Sequence, residues 1–201
     1  MISVDMSSLW SDEIEKIVQG VTEGTNNITA YCENPNRSQT MLLSLGDDIV
    51  DICDFWTGKT YVGNDKNILV KNAFQLFFET LMKSLLFMSE SDRDYELRLA
   101  NAMLYRGPIY RYLGNNYPTK NIVKPIYNNI YVSWSKNKTN NYIESKLYGT
   151  KTWLACEIAE PLYGIDLDAI GCSRANEREV VFPTIENCIT QIEYIGDEHD
   201  E

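Results

Sequence analysis

Three short polar segments in the second half of the chain carry side chains that could do chemistry. They are Tyr105-Arg106-Gly107, Ser133-Trp134-Ser135 and Glu177-Arg178-Glu179. An arginine offers a planar, permanently charged fork that binds phosphate through two hydrogen bonds, and a carboxylate can stabilise positive charge or accept a proton. Each segment adjoins a predicted strand, so these groups can be held on rigid elements.

Several other kinds of chemistry are excluded by the composition. The single histidine, His199, lies in the acidic C-terminal tail, where order is least expected. This nearly excludes a Ser-His-Asp triad, a Cys-His pair and an HExxH zinc site. The five cysteines are widely spaced and form no CxxC pair, which argues against a zinc ribbon or a disulfide framework. Catalysis must therefore depend on carboxylates, hydroxyls and arginine.

Taken together and in this order, the three segments resemble the arginine, Ser-x-Ser and Glu-x-Glu signature of the ADP-ribosyltransferase family, which includes many bacterial toxins and small phage-encoded enzymes. The likeness continues through Gly164 to Leu167 and Gly171 to Asn176, which look like the loop that leads into the family's catalytic strand. It covers roughly residues 101 to 196. The resemblance implies that NAD⁺ is a substrate and that no metal is needed.

The resemblance also implies a role for each matching residue. Glu179 stabilises the oxocarbenium-like transition state that forms when the bond between nicotinamide and ribose breaks, and Ser133 holds that carboxylate by a hydrogen bond. Arg106 binds a phosphate of NAD⁺, and Gly107 leaves room for backbone groups to approach the nicotinamide amide. Ser135 supports the end of its strand.

Glu177 is the residue that the resemblance connects with the choice of acceptor. A carboxylate at this position is similar to the arginine-modifying branch of the family, because a guanidinium with a pKa above about 12 must lose a proton as it attacks. We therefore expect the acceptor to be an arginine of a target protein. Two further possibilities stay open: hydrolysis of NAD⁺ without a protein acceptor, and an NAD-capped RNA as the donor.

The charge of the chain limits its partners. The formal net charge is −11, which disfavours direct binding of nucleic acid because phosphates require clustered lysine and arginine. Residues 1 to 100 hold 16 acidic and 8 basic side chains, whereas residues 101 to 201 hold 13 and 10. Four of these 13 acids lie in the acidic tail, so the rest of the second half, with 9 acids and 10 bases, can accommodate an anionic dinucleotide. The alternative function is an acidic protein that blocks a basic partner surface, and it predicts negative charge over the whole fold.

The first part of the chain, residues 1 to 100, is predicted to be helical. Ser11 begins a helix that ends at Gly20, Asn26 to Thr40 form a loop, and two helices cover Met41 to Trp56 and Asn67 to Ser89. The strongest apolar stripe is expected to be core and comprises Phe74, Phe77, Phe78, Leu81 and Leu85. Four acids at helical spacing are interpreted as a solvated helix face and not as a metal site: Asp47, Asp48, Asp51 and Asp54.

The second part, residues 101 to 196, is predicted to be the NAD-binding catalytic core, followed by an acidic tail at 197 to 201. Short apolar runs indicate strands at Ala102 to Tyr105, Ile130 to Ser133, Thr152 to Ile158, Glu179 to Phe182 and Cys188 to Ile195. A helix over Asn137 to Leu147, capped by Gly149, lies between the second and third strands. The predicted fold class is α+β, and the resemblance implies a helical layer in front of two mainly antiparallel sheets.

No segment of the sequence predicts export or insertion into a membrane. The first twenty residues lack the basic and apolar regions of a signal peptide. The longest apolar run, Phe74 to Met88, is too short and too polar to span a bilayer. Because scattered cysteines also fit a reducing compartment, we expect a cytoplasmic location, in the producing cell or in a target cell.

Overall fold

The structure is a computed structural model that describes residues 6–58, 68–113, 130–137, 152–172, 178–183 and 189–194. The chain divides into two compact units, Met1–Leu99 and Ala100–Glu201. The described part of the first unit is helical, and the described strands lie in the second. The protein therefore has a mixed helix and sheet fold.

Four helices are described, and their bounds are α1 (Met6–Glu33), α2 (Gln39–Gly58), α3 (Ile68–Ser89) and α4 (Asp94–Met103). α1 packs against both α2 and α3. Asp94 and Glu96 lie in the first turn of α4, where negative charge interacts favourably with the helix dipole. None of the helices in the described ranges is long and apolar enough to cross a membrane.

The predicted end of the first helix at Gly20 is wrong, because α1 continues through this residue. Val21, Ile28 and Tyr31 are buried at helical spacing on one side of α1. Their packing outweighs the poor helix propensity of Gly20 and of the Asn and Thr residues that follow it. The predicted loop from Asn26 to Thr40 is therefore confined to the few residues between α1 and α2.

The predicted apolar stripe on α3 is confirmed as core. Its members are all buried: Phe74, Phe77, Phe78, Leu81 and Leu85. Trp56 of α2 packs on two of them, with ring centroids 5.1 Å from Phe74 and 5.0 Å from Phe78. Tilted and edge-on ring contacts of this kind add to the free energy gained by burying the rings. The stripe thus ties α2 to α3.

A buried carboxylate links α4 to α1 in the first unit. Glu96 is fully buried and accepts hydrogen bonds from the Tyr31 hydroxyl (2.8 Å) and from Nε of Arg37 (2.7 Å). Burial alone would raise the pKa of Glu96, but hydrogen bonds from Ser91, Arg37 and Tyr31 outweigh burial and hold the pKa below its ordinary value. Since Arg37 follows α1, the ion pair also anchors the connection to α2.

Seven strands are described, and their bounds are β1 (Leu104–Tyr105), β2 (Gly107–Leu113), β3 (Tyr131–Ser135), β4 (Thr152–Ile158), β5 (Gly164–Asp166), β6 (Glu179–Pro183) and β7 (Ile189–Tyr194). They form one sheet in the order β1-β5-β6-β3-β2-β4-β7, and neighbouring strands are antiparallel. The ladder β1-β5-β6-β3 meets the ladder β2-β4-β7 at the register pair Tyr110 and Ser135. The described strands thus form one sheet where two were predicted.

This sheet must curl so that its edge strand β1 lies close to the interior strand β2. Arg106 alone separates β1 from β2, yet β5, β6 and β3 lie between those two strands in the described sheet. In a flat sheet β1 and β2 would be about 19 Å apart, at about 4.8 Å for each neighbouring pair. The two peptide links around Arg106 span at most about 7 Å. Gly107 permits the bend, because its φ of 128° is strained for any residue with a side chain.

The predicted strand at Thr152 to Ile158 is confirmed, because β4 has the same bounds. Three other predicted strands overlap β3, β6 and β7. The strand prediction is wrong at Ala102 and Met103, which end α4 because Ala100 and Met103 are buried at helical spacing. β2 and β5 are missing from the prediction, since Pro108 and glycines at the strand starts indicate turns. The predicted helix after Asn137, its cap and the acidic tail lie outside the described residues.

Candidate functional site

One face of the sheet is apolar and supports the candidate site. Its buried cluster comprises Ile109, Trp134, Leu154, Cys156, Ile158, Val180 and Phe182. Side chains alternate between the two faces along a strand. Ser133 and Ser135, on either side of Trp134, and Glu179, next to Val180, therefore lie on the opposite face. The cluster provides a packed base for these three polar residues.

Ser133 and Glu179 are brought together by the register of β3 and β6. Ser133 is paired with Val181 and Ser135 with Glu179 across these antiparallel strands, so Ser133 and Glu179 are diagonal neighbours on one face. The Ser133 hydroxyl donates a hydrogen bond to Oε1 of Glu179. Glu179 is 4% exposed, whereas Ser133 is exposed. The site thus holds a buried carboxylate beside a solvent-accessible hydroxyl.

Backbone contacts fix the chain on both sides of this carboxylate. The N–H of Leu167 donates to the carbonyl of Glu179, and the N–H of Lys136 donates to the carbonyl of Arg178, each over 3.0 Å. Arg178 has a φ of 45°, in the left-handed region that non-glycine residues rarely adopt. Such strain persists only where the surrounding contacts over-determine the backbone. The position of Glu179 is therefore set by β3 and by the segment after β5.

An ion cluster beside Glu179 is not indicated by the sequence pattern. Nζ of Lys136 lies 2.8 Å from Asp166 and 3.0 Å from Asp168. Burial alone would lower the pKa of Lys136, but its hydrogen bonds to the two aspartates raise the pKa above its ordinary value. Because the backbone of Lys136 also bonds to Arg178, the cluster ties β3 and β5 to the start of β6. No rule of spacing pairs a lysine with acids thirty residues away.

Arg106 contacts the connection between β4 and β5. Its Nη1 donates to Glu160 over 2.7 Å, its Nε donates to the carbonyl of Leu162 over 3.1 Å, and its guanidinium lies 3.9 Å from the ring centroid of Tyr163. None of its described contacts is with Ser133 or Glu179. The Arg106 side chain is one-third exposed, and the Glu160 side chain is largely exposed. A phosphate could therefore replace Glu160 as the partner of Arg106 without the loss of a buried ion pair.

Gly107 and Ser135 each have a local structural role. A Cβ at Gly107 would lie 3.1 Å from the Tyr105 hydroxyl, in addition to the strain of its positive φ. Oγ of Ser135 accepts a hydrogen bond from the N–H of Asn137 and donates one to its carbonyl, both over 3.0 Å, and so caps the end of β3. The predicted contacts of both residues with NAD⁺ stay predictions.

Glu177 lies outside the described residues, so its predicted role in acceptor choice stays a prediction. Within the described ranges, no group of three or more His, Cys, Asp or Glu side chains is arranged to hold a metal ion. The helical acids Asp47, Asp48, Asp51 and Asp54 are among the residues covered by that statement.

Comparison with known proteins gives no relative for this chain: no family model, no curated protein and no solved structure matches it.

Proposed function

We propose that the chain is a mono-ADP-ribosyltransferase that cleaves NAD⁺ and transfers ADP-ribose to a protein arginine. Glu179 is only 4% exposed. The observation that carries this proposal is the hydrogen bond that the Ser133 hydroxyl donates to this buried carboxylate. It joins two of the three motifs from which the resemblance was drawn. The pair also has the chemistry that the reaction needs, namely a fixed anion beside a hydroxyl.

Glu179 supplies the charge that lowers the barrier to cleavage. When the C1′–N bond breaks, the electron pair leaves with nicotinamide and the ribose becomes an oxocarbenium-like cation. A carboxylate fixed in a water-poor site stabilises that cation without reorganising during the reaction. The hydrogen bond from Ser133 and the backbone bond from Leu167 keep the group in place. A guanidine nitrogen of the acceptor then forms the new bond to C1′ and loses a proton.

Arg106 has the features required of a phosphate-binding group. The cation–π contact with Tyr163 restrains the guanidinium, and a guanidinium held in this way presents its N–H groups in a fixed fork. Glu160, an anion in contact with Nη1, marks where an oxygen of the NAD⁺ pyrophosphate would bind. Binding of NAD⁺ at Arg106 requires the exposed Glu160 side chain to move away.

We propose that the two ladders of this one sheet correspond to the two sheets of an ADP-ribosyltransferase-like core. Among the described strands, a single register pair, Tyr110 with Ser135, joins the four-stranded and three-stranded ladders. A joint of that kind lets the two ladders turn away from each other, as two packed sheets do. We place the reaction in a reducing cytoplasm, the compartment that the scattered cysteines of the sequence fit.

Replacement of Arg106 by lysine is expected to weaken NAD⁺ binding about tenfold, because one charge-assisted hydrogen bond worth roughly 1.5 kcal/mol is lost while the charge is kept. Titration calorimetry with NAD⁺ measures this change. Arg98→Lys is the matched control, since Arg98 is exposed on α4 and bonds to the Asp94 carbonyl. Equal affinities for Arg106→Lys and the unmodified chain would show that Arg106 only stabilises the β4–β5 connection.

Replacement of Glu177 by glutamine is expected to separate transfer from cleavage. Glutamine cannot deprotonate a guanidinium, whereas water is small and attacks the oxocarbenium without that help. The variant should lose transfer to arginine and retain slow release of nicotinamide. Both rates are measured on one preparation, with and without an arginine-rich protein. Equal loss of both rates would place Glu177 in cleavage, and retention of both would remove the support for an arginine acceptor.

The test of the proposed function uses purified chain, NAD⁺ and agmatine, a small guanidine that mimics the arginine side chain. We expect nicotinamide and ADP-ribosyl-agmatine to accumulate together, as chromatography can measure. Accumulation of ADP-ribose with no agmatine adduct would make the chain an NAD⁺ hydrolase. Unchanged NAD⁺, with folded protein present, would contradict both activities.

A further inference from the structure

A groove between α1 and α2 has the geometry of a binding surface. The helices touch at Gly24, where a Cβ would lie 2.1 Å from Cδ1 of Ile52. Beside this contact they line an open groove of about 470 Å³ that extends along α1 from Glu13 to Asn27. At Gly20 a Cβ would have no atom within 4 Å. The missing side chain at Gly20 therefore helps to keep the groove open.

The groove combines an apolar floor with an acidic rim. The apolar lining residues are Ile17, Val21, Ile52 and Phe55, and the charged ones are Glu13, Glu23, Asp48 and Asp51 against Lys16. Gln19 donates to Glu23 over 2.9 Å, and Asn27 donates to Asp48 over 3.0 Å. Both donors are neutral amides, so these two hydrogen bonds leave the charge of the carboxylates unbalanced.

We propose that this groove binds a cationic amphipathic helix of a partner protein. Apolar side chains of that helix would enter the groove beside Gly20, and its lysines or arginines would lie over the acidic rim. Helix-in-groove recognition uses this combination of apolar anchors and flanking charge, and complementary charge selects the partner. A second copy of this chain is a poor occupant, because each copy carries a net charge of −11.

The proposal concerns the first unit alone and does not depend on the proposed catalytic activity. Its direct test is fluorescence anisotropy with the full chain and a labelled synthetic helical peptide that has leucine on one face and lysine and arginine on the other. A scrambled peptide of the same composition and a peptide with glutamate in place of the basic residues serve as comparisons. We expect only the first peptide to bind, with an affinity that falls as salt is added.

Two pairs of variants locate the binding site. Gly20→Phe fills the groove and is expected to raise the dissociation constant about tenfold or more, which corresponds to about 1.4 kcal/mol. Gly46→Phe is its control, because Gly46 also lies in a helix with open space around it but does not line the groove. Asp51→Asn should weaken binding about two- to fivefold, and Asp47→Asn, outside the groove, should not.

Three results would overturn the proposal. The first is equal binding of the scrambled and amphipathic peptides, which would reduce the interaction to non-specific attraction. The second is unchanged binding by both Gly20→Phe and Asp51→Asn in variants that keep the circular dichroism of the parent chain. The third is self-association of the chain, measured by sedimentation, that Gly20→Phe abolishes, because the groove would then belong to a second copy.

Discussion

In the Glu179→Gln variant, nicotinamide release and ADP-ribose transfer are both expected to fall by about two to three orders of magnitude. The substitution removes the negative charge that the proposed mechanism places against the oxocarbenium and leaves the shape of the side chain nearly unchanged. A glutamine oxygen can still accept the hydrogen bond from Ser133. Stability should therefore change far less than activity, and one preparation provides both measurements.

A matched control separates the loss of this carboxylate from the loss of any negative charge. Glu157 lies on β4 with its side chain exposed, so Glu157→Gln should leave both rates nearly unchanged. Ser133→Ala should cause a smaller loss than Glu179→Gln, because the charge is retained and only its hydrogen-bonded partner is removed. A folded Glu179→Gln protein with full activity would remove the basis of the proposed mechanism.

Replacement of Glu96 by alanine is expected to lower the free energy of unfolding by about 3–5 kcal/mol, the usual cost of leaving one partner of a buried ion pair without the other. The substitution removes the acceptor for the Tyr31 hydroxyl and for Arg37, whose side chain is 12% exposed. Urea titration measures the change. Asp92→Ala is the control, since Asp92 is exposed and lies 3.9 Å from Arg93, and its effect should stay within about 0.5 kcal/mol.

The stabilising effect of Glu96 should also depend on pH in a defined direction. Its folded-state pKa is held below the ordinary value for a glutamate. A carboxylate whose pKa is lower in the folded state stabilises the fold. This stabilisation is complete above the unfolded-state pKa, about 4.3, and is lost as the pH falls through the folded-state pKa. The difference in stability between the parent chain and Glu96→Ala should therefore shrink in acid. A difference that stays constant from pH 7 to pH 3 would show that the ionised form of Glu96 is not what stabilises the cluster.

The helical elements show which parts of a fold a sequence can predict. The stripe from Phe74 to Leu85 has a strict helical period, and its burial follows from that period. The continuation of α1 through Gly20 could not be predicted, because it depends on packing of α1 against α2 and α3, and local propensity carries no information about that packing. The short strands β1 and β5 likewise exist because neighbouring strands pair with them.

In the site, too, the local sequence indicates some residues, whereas contacts between distant strands determine others. Ser133 and Glu179 could be selected from motifs that adjoin apolar strands, although their contact depends on the pairing of β3 with β6. Lys136, Asp166 and Asp168 could not be selected, because the order of β3, β5 and β6 in the sheet decides which charges meet. The ion pair of Arg106 with Glu160 could not be predicted either, because it joins residues 54 positions apart in the sequence.

The proposed transfer reaction is tested by incubating the unmodified chain and Glu179→Gln in parallel with a cell lysate and NAD⁺ labelled in its adenylate half. Labelled protein is resolved by electrophoresis, and free nicotinamide is measured in the same samples. We expect a labelled protein and nicotinamide release with the unmodified chain, and neither above background with Glu179→Gln. Equal labelling by both proteins, or no nicotinamide release by the folded unmodified chain, would contradict the proposed transfer reaction.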